Sequence, residues 1–225
     1  MSQQEIIYMA IYAGSFLALF GIAELLYHYA KVYVEITRKV VHIGTGLITL
    51  SFPLVLTTHW SVLILTISFV VILVISKKFN LLKSINGIRR SSRGSILYPI
   101  IIYVTYWIFT IFDDVLFFYL PILILAICDP IAALTGKKWP RGKYKIFKET
   151  KTLMGSTWFF ISCLILTMAF VIPLRDNWLE IICVTLFISF ITTLAEAASQ
   201  KGWDNLFIPL TVTASLLLSQ YLFHF

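Results

Sequence analysis

The chain has 225 residues, of which 59% are hydrophobic and only 13% charged, and its mean hydropathy is +0.89. A soluble domain carries about 45–50% apolar and about 25% charged residues, so this composition excludes an ordinary soluble protein and points to a polytopic membrane protein. The net charge of +7 is not a nucleic-acid signature, because the cations lie in loops between apolar runs; the three cysteines (Cys128, Cys163, Cys183) stand in apolar runs and offer neither a disulfide framework nor metal-ligand spacing.

Apolar runs close to the ~20 residues that cross a bilayer predict an all-α fold of about eight transmembrane helices. They fall at 6–27, 40–57, 60–76, 96–112, 115–134, 155–173, 178–196 and 206–224. A seven-span arrangement with one re-entrant piece is the alternative. The first run lacks the positive flank and cleavage site of a signal peptide and is expected to stay as an anchor. Thr57-Thr58-His59, Asp113-Asp114 and residues 173–177 read as short turns. With eight spans, 17 of the 18 lysines and arginines fall in loops on one side, and only Arg175 lies opposite. The positive-inside rule assigns those loops to the cytoplasm and both termini to the outside. No domain boundary or repeat interrupts the chain, which reads as one transmembrane domain over 1–225.

Four polar groups face the basic side. In the first, Arg38, Lys39 and His42 share one helix face at the mouth of the second span, and Gly44 and Gly46 permit close helix packing. Snorkelling cations with one interfacial histidine would look the same. The second is Arg89-Arg90-Ser-Ser-Arg93-Gly94, suited to phosphate by its guanidinium forks, or to anionic headgroups as a plain juxtamembrane segment.

The third runs from Cys128 to Ser156. Asp129 stands inside an apolar run, followed by Pro130, which removes one helical hydrogen bond; a helix restart with Asp129 as its N-cap is expected there. A carboxylate at that depth needs a partner, either a magnesium ion or a lysine. Asp129, Ala132 and Gly136 lie on one narrow face, seven cations follow from Lys137 to Lys151, and Lys151-Thr152 leads into Gly155-Ser156 at the next helix start. Backbone amides at such a start suit phosphate oxygens. The fourth group is Glu196 with Asp204 and Asn205, oxygens for a metal or a hydroxyl nucleophile, or caps for the last helix.

These motifs occur in one order: Arg38-Lys39-x-x-His42-x-Gly44, Asp129-x-x-Ala132-x-x-x-Gly136, Trp139-Pro140, Lys151-Thr152-x-x-Gly155-Ser156 and Glu196 followed by Asp204-Asn205-x-x-x-Pro209. In this the chain resembles the polyprenol kinase group, which includes dolichol and phytol kinases and is related to the membrane cytidylyltransferases. The resemblance covers about residues 37–210. It implies CTP as phosphoryl donor, Mg2+, a lipid alcohol as acceptor, no nucleic acid, and a nucleotide-binding region at about 128–156. It further implies Asp129 as metal ligand, with Asp204 and Glu196 as second metal ligands or the general base. Lys151, Thr152, Gly155, Ser156 and Gly136 would hold the nucleotide, with Lys143, Arg93 and Asn205 in support. Arg38, Lys39 and His42 would steady the transferring phosphate. Met154 departs from the pattern, standing where dolichol kinases and cytidylyltransferases often carry a glutamate; phytol-kinase-like sequences also have a non-acidic residue there. A CTP:phosphatidate-type cytidylyltransferase is the alternative enzyme, and a membrane transporter is the alternative outside enzymes.

Overall fold

The computed structural model describes residues 2–87, 92–146, 149–174 and 176–223, so Arg89, Arg90, Lys148 and Arg175 of the charge pattern lie outside the described residues. Eight elements carry most of the chain: α1 (Gln3–His28), α2 (Val34–Thr49), α4 (His59–Lys78), α6 (Gly94–Phe112), the paired α7 (Leu116–Leu123) and α8 (Asp129–Lys138), α9 (Leu153–Val171), α10 (Trp178–Ala198) and α11 (Asp204–Phe223). Short helices α3 (Phe52–Val55) and α5 (Lys83–Asn86) sit between them. Large apolar side chains such as Ile7, Ile67, Leu179 and Phe190 remain exposed on the long helices, as expected of faces that meet lipid tails rather than water.

Seven helical stretches among the described residues are long and apolar enough to cross a membrane. The expected second span at 40–57 is the one that differs. The helix begins earlier, at Val34, and so takes Glu35, Arg38 and Lys39 into its first turns. It ends at Thr49, after 16 residues, and α3 follows with Pro53 in its first turn. Sixteen residues at 1.5 Å each fall short of the hydrocarbon core. The described residues thus hold seven long apolar helices, the alternative count the sequence allowed, with α2 and α3 as a shorter, broken eighth element.

The central element is the rod Leu116–Lys138, 72% of which is buried, against at most 44% for any other long helix. α7 and α8 are joined by a π-helical segment, Ile124–Cys128. Asp129 therefore has helical dihedrals (φ −63°, ψ −47°) and is not the N-cap of a restarted helix, as the sequence suggested. The π turn absorbs Pro130 without breaking the rod. A π-type bond from the Leu125 carbonyl would need the N–H of residue 130, which proline lacks. His42 Nε2 lies 2.8 Å from that carbonyl and supplies the missing partner.

Around the rod, α2, α6, α9 and α11 pack directly, α10 closes against α9 and α11, and α1 and α4 complete the far side. Gly46 of α2 lies against Ala126 of the π segment, where a Cβ would collide. The basic stretch after α8 forms a small antiparallel hairpin, β1 (Lys143–Ile146) with β2 (Glu149–Thr152), in which Lys143 opposes Thr152. At the opposite end of the bundle Glu5 accepts hydrogen bonds from the Thr57 and Thr58 amides (3.2 and 3.1 Å) and from both threonine hydroxyls. One buried carboxylate thus fixes the α3–α4 turn to the start of α1. Glu5→Ala should lower the stability of the purified protein by about 2–3 kcal/mol, because several bonds to a charged acceptor vanish together. Thermal unfolding in detergent measures it.

Candidate active site

The charged residues converge at one end of the bundle, each brought by a different element. α2 presents Lys39 and His42 toward the rod, which carries Asp129, and Arg38 donates to Ser92 Oγ ahead of α6 at 3.4 Å. Lys39 Nζ lies 2.5 Å from Asp129 Oδ2, and His42 Nε2 lies 3.7 Å from the same oxygen. The Asp129 side chain is only 8% exposed and that of Lys39 21%. A carboxylate so placed is stable only with a close cation, and of the two partners the sequence allowed, the chain itself provides the lysine.

A second acid–lysine pair stands beside the first. Lys151, on β2, lies 2.5 Å from Glu196 Oε1 at the end of α10 and also bonds the Glu196 main-chain carbonyl. The other carboxylate oxygen, Glu196 Oε2, is buried without a hydrogen-bond partner among the described residues. Asp204 opens α11, where one of its oxygens accepts the Asn205 N–H at 3.0 Å. Asp204 also lies within electrostatic reach of Asp129, Lys39 and Lys151. Asn205 Nδ2 donates to the Gly94 carbonyl at 2.8 Å and so joins the starts of α6 and α11. Gly202, with φ +86°, lets the loop before α11 touch Gly94, where any side chain would strike the Gly94 amide.

Other expected residues occupy different places. Gly136 and Gly155 lie against each other where α8 crosses α9; a Cβ on Gly136 would fall 2.6 Å from Thr152 Oγ1. Thr152 caps α9 by accepting the Gly155 N–H at 3.1 Å, and Ser156 Oγ lies 2.6 Å from the Tyr144 hydroxyl. Lys143 is exposed on β1. The Arg93 guanidinium sits 5.7 Å from the Trp203 ring. The three carboxylates expected around a metal do not form a cluster: among the described residues no three His, Cys, Asp or Glu side chains come together to hold one. Asp129 and Glu196 each face a lysine, and Asp204 accepts the amide of its neighbour Asn205 at the start of α11.

A cavity joins this charged end to the apolar interior. Its mouth is lined by Arg38, Lys39, His42, Asp129, Asp204 and Asn205. Glu149, Ser92 and Gly202 also line it and were not singled out in the sequence; their only signal there is proximity to the motifs. From the mouth it runs between α1, α2, α4 and α6 past Phe20, Leu73, Phe69 and Phe16 to Phe52. Lys143, Lys151, Thr152, Ser156, Arg93 and Glu196 are not among its lining residues.

The chain is similar to phytol kinase of Synechocystis sp., with 28% identity over 188 residues that cover 84% of this chain and 81% of that protein. No family model matches the chain, and no solved structure matches it. The similarity agrees with the motif order along the chain, and the two together support a likeness to phytol and polyprenol kinases.

The Lys39–Asp129 pair yields a stability prediction. Lys39→Met should destabilise the protein by about 3–5 kcal/mol by leaving a buried carboxylate unpaired, and adding Asp129→Asn should restore most of that loss. Unfolding midpoints of the two single variants and the double variant complete the cycle.

Proposed function

We propose that the chain is a kinase that transfers the γ-phosphoryl group of CTP to the hydroxyl of a lipid alcohol of phytol or polyprenol type. The observation that carries this reading is one continuous cavity, charged at its mouth and mainly apolar along its length. A long hydrophobic alcohol suits such a space tail inward, its hydroxyl beside Asp129, Lys39 and Asp204 and its tail among the phenylalanines. The likeness to phytol kinase supports the same substrate class.

Phosphoryl transfer needs positioning and charge neutralisation more than covalent chemistry. Arg38 and Lys39 stand at the mouth to offset the charge that spreads over the transferring group. Of the two motif carboxylates at the mouth, Asp129 is paired with Lys39 and Asp204 is not, so Asp204 takes the role of general base. The alcohol oxygen attacks the γ-phosphorus as its proton passes to Asp204. The bond to the bridging oxygen then breaks, and CDP leaves with the electron pair. His42, committed to the Leu125 carbonyl, holds the π segment and thereby Asp129 rather than meeting phosphate itself. The nucleotide is assigned to the side formed by α8, the hairpin and α9. There Lys151 lies within electrostatic reach of Asp129 and Asp204, Lys143 extends the basic surface, and Arg93 stands across the mouth before α6.

Magnesium bound to a triphosphate requires only one or two protein carboxylates, the phosphates and water supplying the rest. Asp129 at the mouth and the unpartnered Glu196 Oε2 fit that smaller demand. The ion would neutralise charge on the β- and γ-phosphate oxygens.

CTP labelled at the γ position, given to the purified protein with Mg2+ and phytol or geranylgeraniol, should yield labelled lipid phosphate and CDP. Label entering lipid only from the α position, and only with phosphatidate present, would make the protein a cytidylyltransferase instead. The reading also sets the charged end in the cytoplasm, as the basic loops favour. In a Cys183→Ser background, Lys143→Cys in intact cells should resist an impermeant maleimide and Asp113→Cys should react with it. The reverse pattern would turn the molecule over.

A further inference from the structure

We propose that Phe52, braced by Phe16 and Phe69, sets the length of lipid tail that the cavity accepts. The inference rests on the reading of this cavity as the acceptor site. On α2 the lining residues Arg38, Val41, Thr45 and Thr49 recur on one face, and Phe52 follows just beyond the helix end. From Arg38 to Thr49 the helix rises roughly 16 Å, so Phe52 closes the cavity at its far end from the charged mouth. The opposing helices pass the same path: Phe20 then Phe16 on α1, and Leu73, Phe69 then Leu65 on α4.

The arm is apolar in practice as well as in outline. Of its buried threonines, Thr49 donates to the Gly46 carbonyl (2.8 Å) and Thr66 to the Val62 carbonyl (2.8 Å), each within its own helix, and Thr45 places one further hydroxyl midway. The far wall is also fixed in place. The Phe52 ring meets Tyr12 edge-on at 4.7 Å and Phe16 at 6.3 Å, and Phe16 meets Phe69 at 4.9 Å. Tyr12 Oη lies 2.8 Å from Ser51 Oγ, the residue before Phe52. The Tyr106 hydroxyl donates to the Leu56 carbonyl at the end of α3, and Glu5 clamps the threonines that follow. A wall held from three helices does not yield to a longer tail, because packed interiors shift little and overpacking is costly.

The test uses the full-length purified protein and a ladder of alcohols that differ by one isoprene unit: farnesol, geranylgeraniol and geranylfarnesol. Phe52→Ala should raise kcat/KM for the longer alcohol relative to the next shorter by about tenfold, the scale on which an apolar pocket discriminates tails. Thr45→Leu, which fills the arm midway, should shift the preference the other way. A geranylgeraniol analogue with a diazirine on its terminal unit should label Phe52, Phe16 or Leu65, and unlabelled geranylgeraniol should suppress that labelling. This last readout needs no turnover and no variant. Length preference unchanged in both variants, or photolabel confined to lipid-facing residues such as Leu179 and Phe190, would overturn the proposal. A wild-type protein that labels at Phe52 yet phosphorylates no alcohol would instead defeat the kinase reading.

Discussion

A carboxylate buried in the middle of an apolar bundle must be answered by a cation, and the arrangement of this protein follows from that demand. Asp129 belongs to the most enclosed helix, and Lys39 answers it from a helix 90 residues away in the chain. To bring Lys39 there, α2 must start early, lie against the π segment and carry Arg38 and His42 with it. The same contact gives the orphaned Leu125 carbonyl its partner. The second pair, Lys151 with Glu196, joins the hairpin to α10 in the same way. Two acid–lysine pairs thus tie four elements into one charged end. Ion pairs of this kind contribute little net stability over an apolar substitute, but they specify which helix meets which.

That charged end becomes chemically useful because it opens onto an apolar cavity. A kinase for a lipid alcohol has to hold two incompatible substrates, a polyanion and a greasy chain, with their reactive ends in contact. Here the basic hairpin and the starts of α6 and α11 gather polar groups on one side, and four helices supply the greasy channel on the other. A transporter would need polar groups through the depth of the bundle. Along this cavity the charged groups stop at the mouth, and only threonine hydroxyls lie deeper.

Much of the fold was legible because hydropathy speaks directly to membrane crossing. The stretches around α1, α4, α6, α9, α10 and α11 stand close to where apolar run length put them. The second span did not, since residues 34–39 are polar by composition yet continue the helix once Lys39 has Asp129 to meet. The hairpin was legible only in hindsight, through the alternation in Lys143-Tyr-Lys-Ile and Glu-Thr-Lys-Thr, which the density of charge disguised. Asp129, Glu196 and Asp204 stood out in the sequence because charge is rare in this chain. Which lysine met which acid did not, because pairing across 45 or 90 residues leaves no spacing to read. The channel was invisible for a different reason: Phe16, Phe20, Phe52 and Phe69 look like any other core residues until four helices are placed around one space.

The most direct test of the central claim, that the carboxylate at the cavity mouth acts on an alcohol held inside it, is a single-turnover comparison of wild type with Asp204→Asn. Both would be loaded with γ-labelled CTP and geranylgeraniol, and alcohol binding would be measured separately by equilibrium dialysis in detergent. Asp204→Asn should bind the alcohol as wild type does and transfer phosphate about 10²–10⁴-fold more slowly, the range expected for loss of a general base. Transfer at the wild-type rate with the alcohol bound would contradict the account.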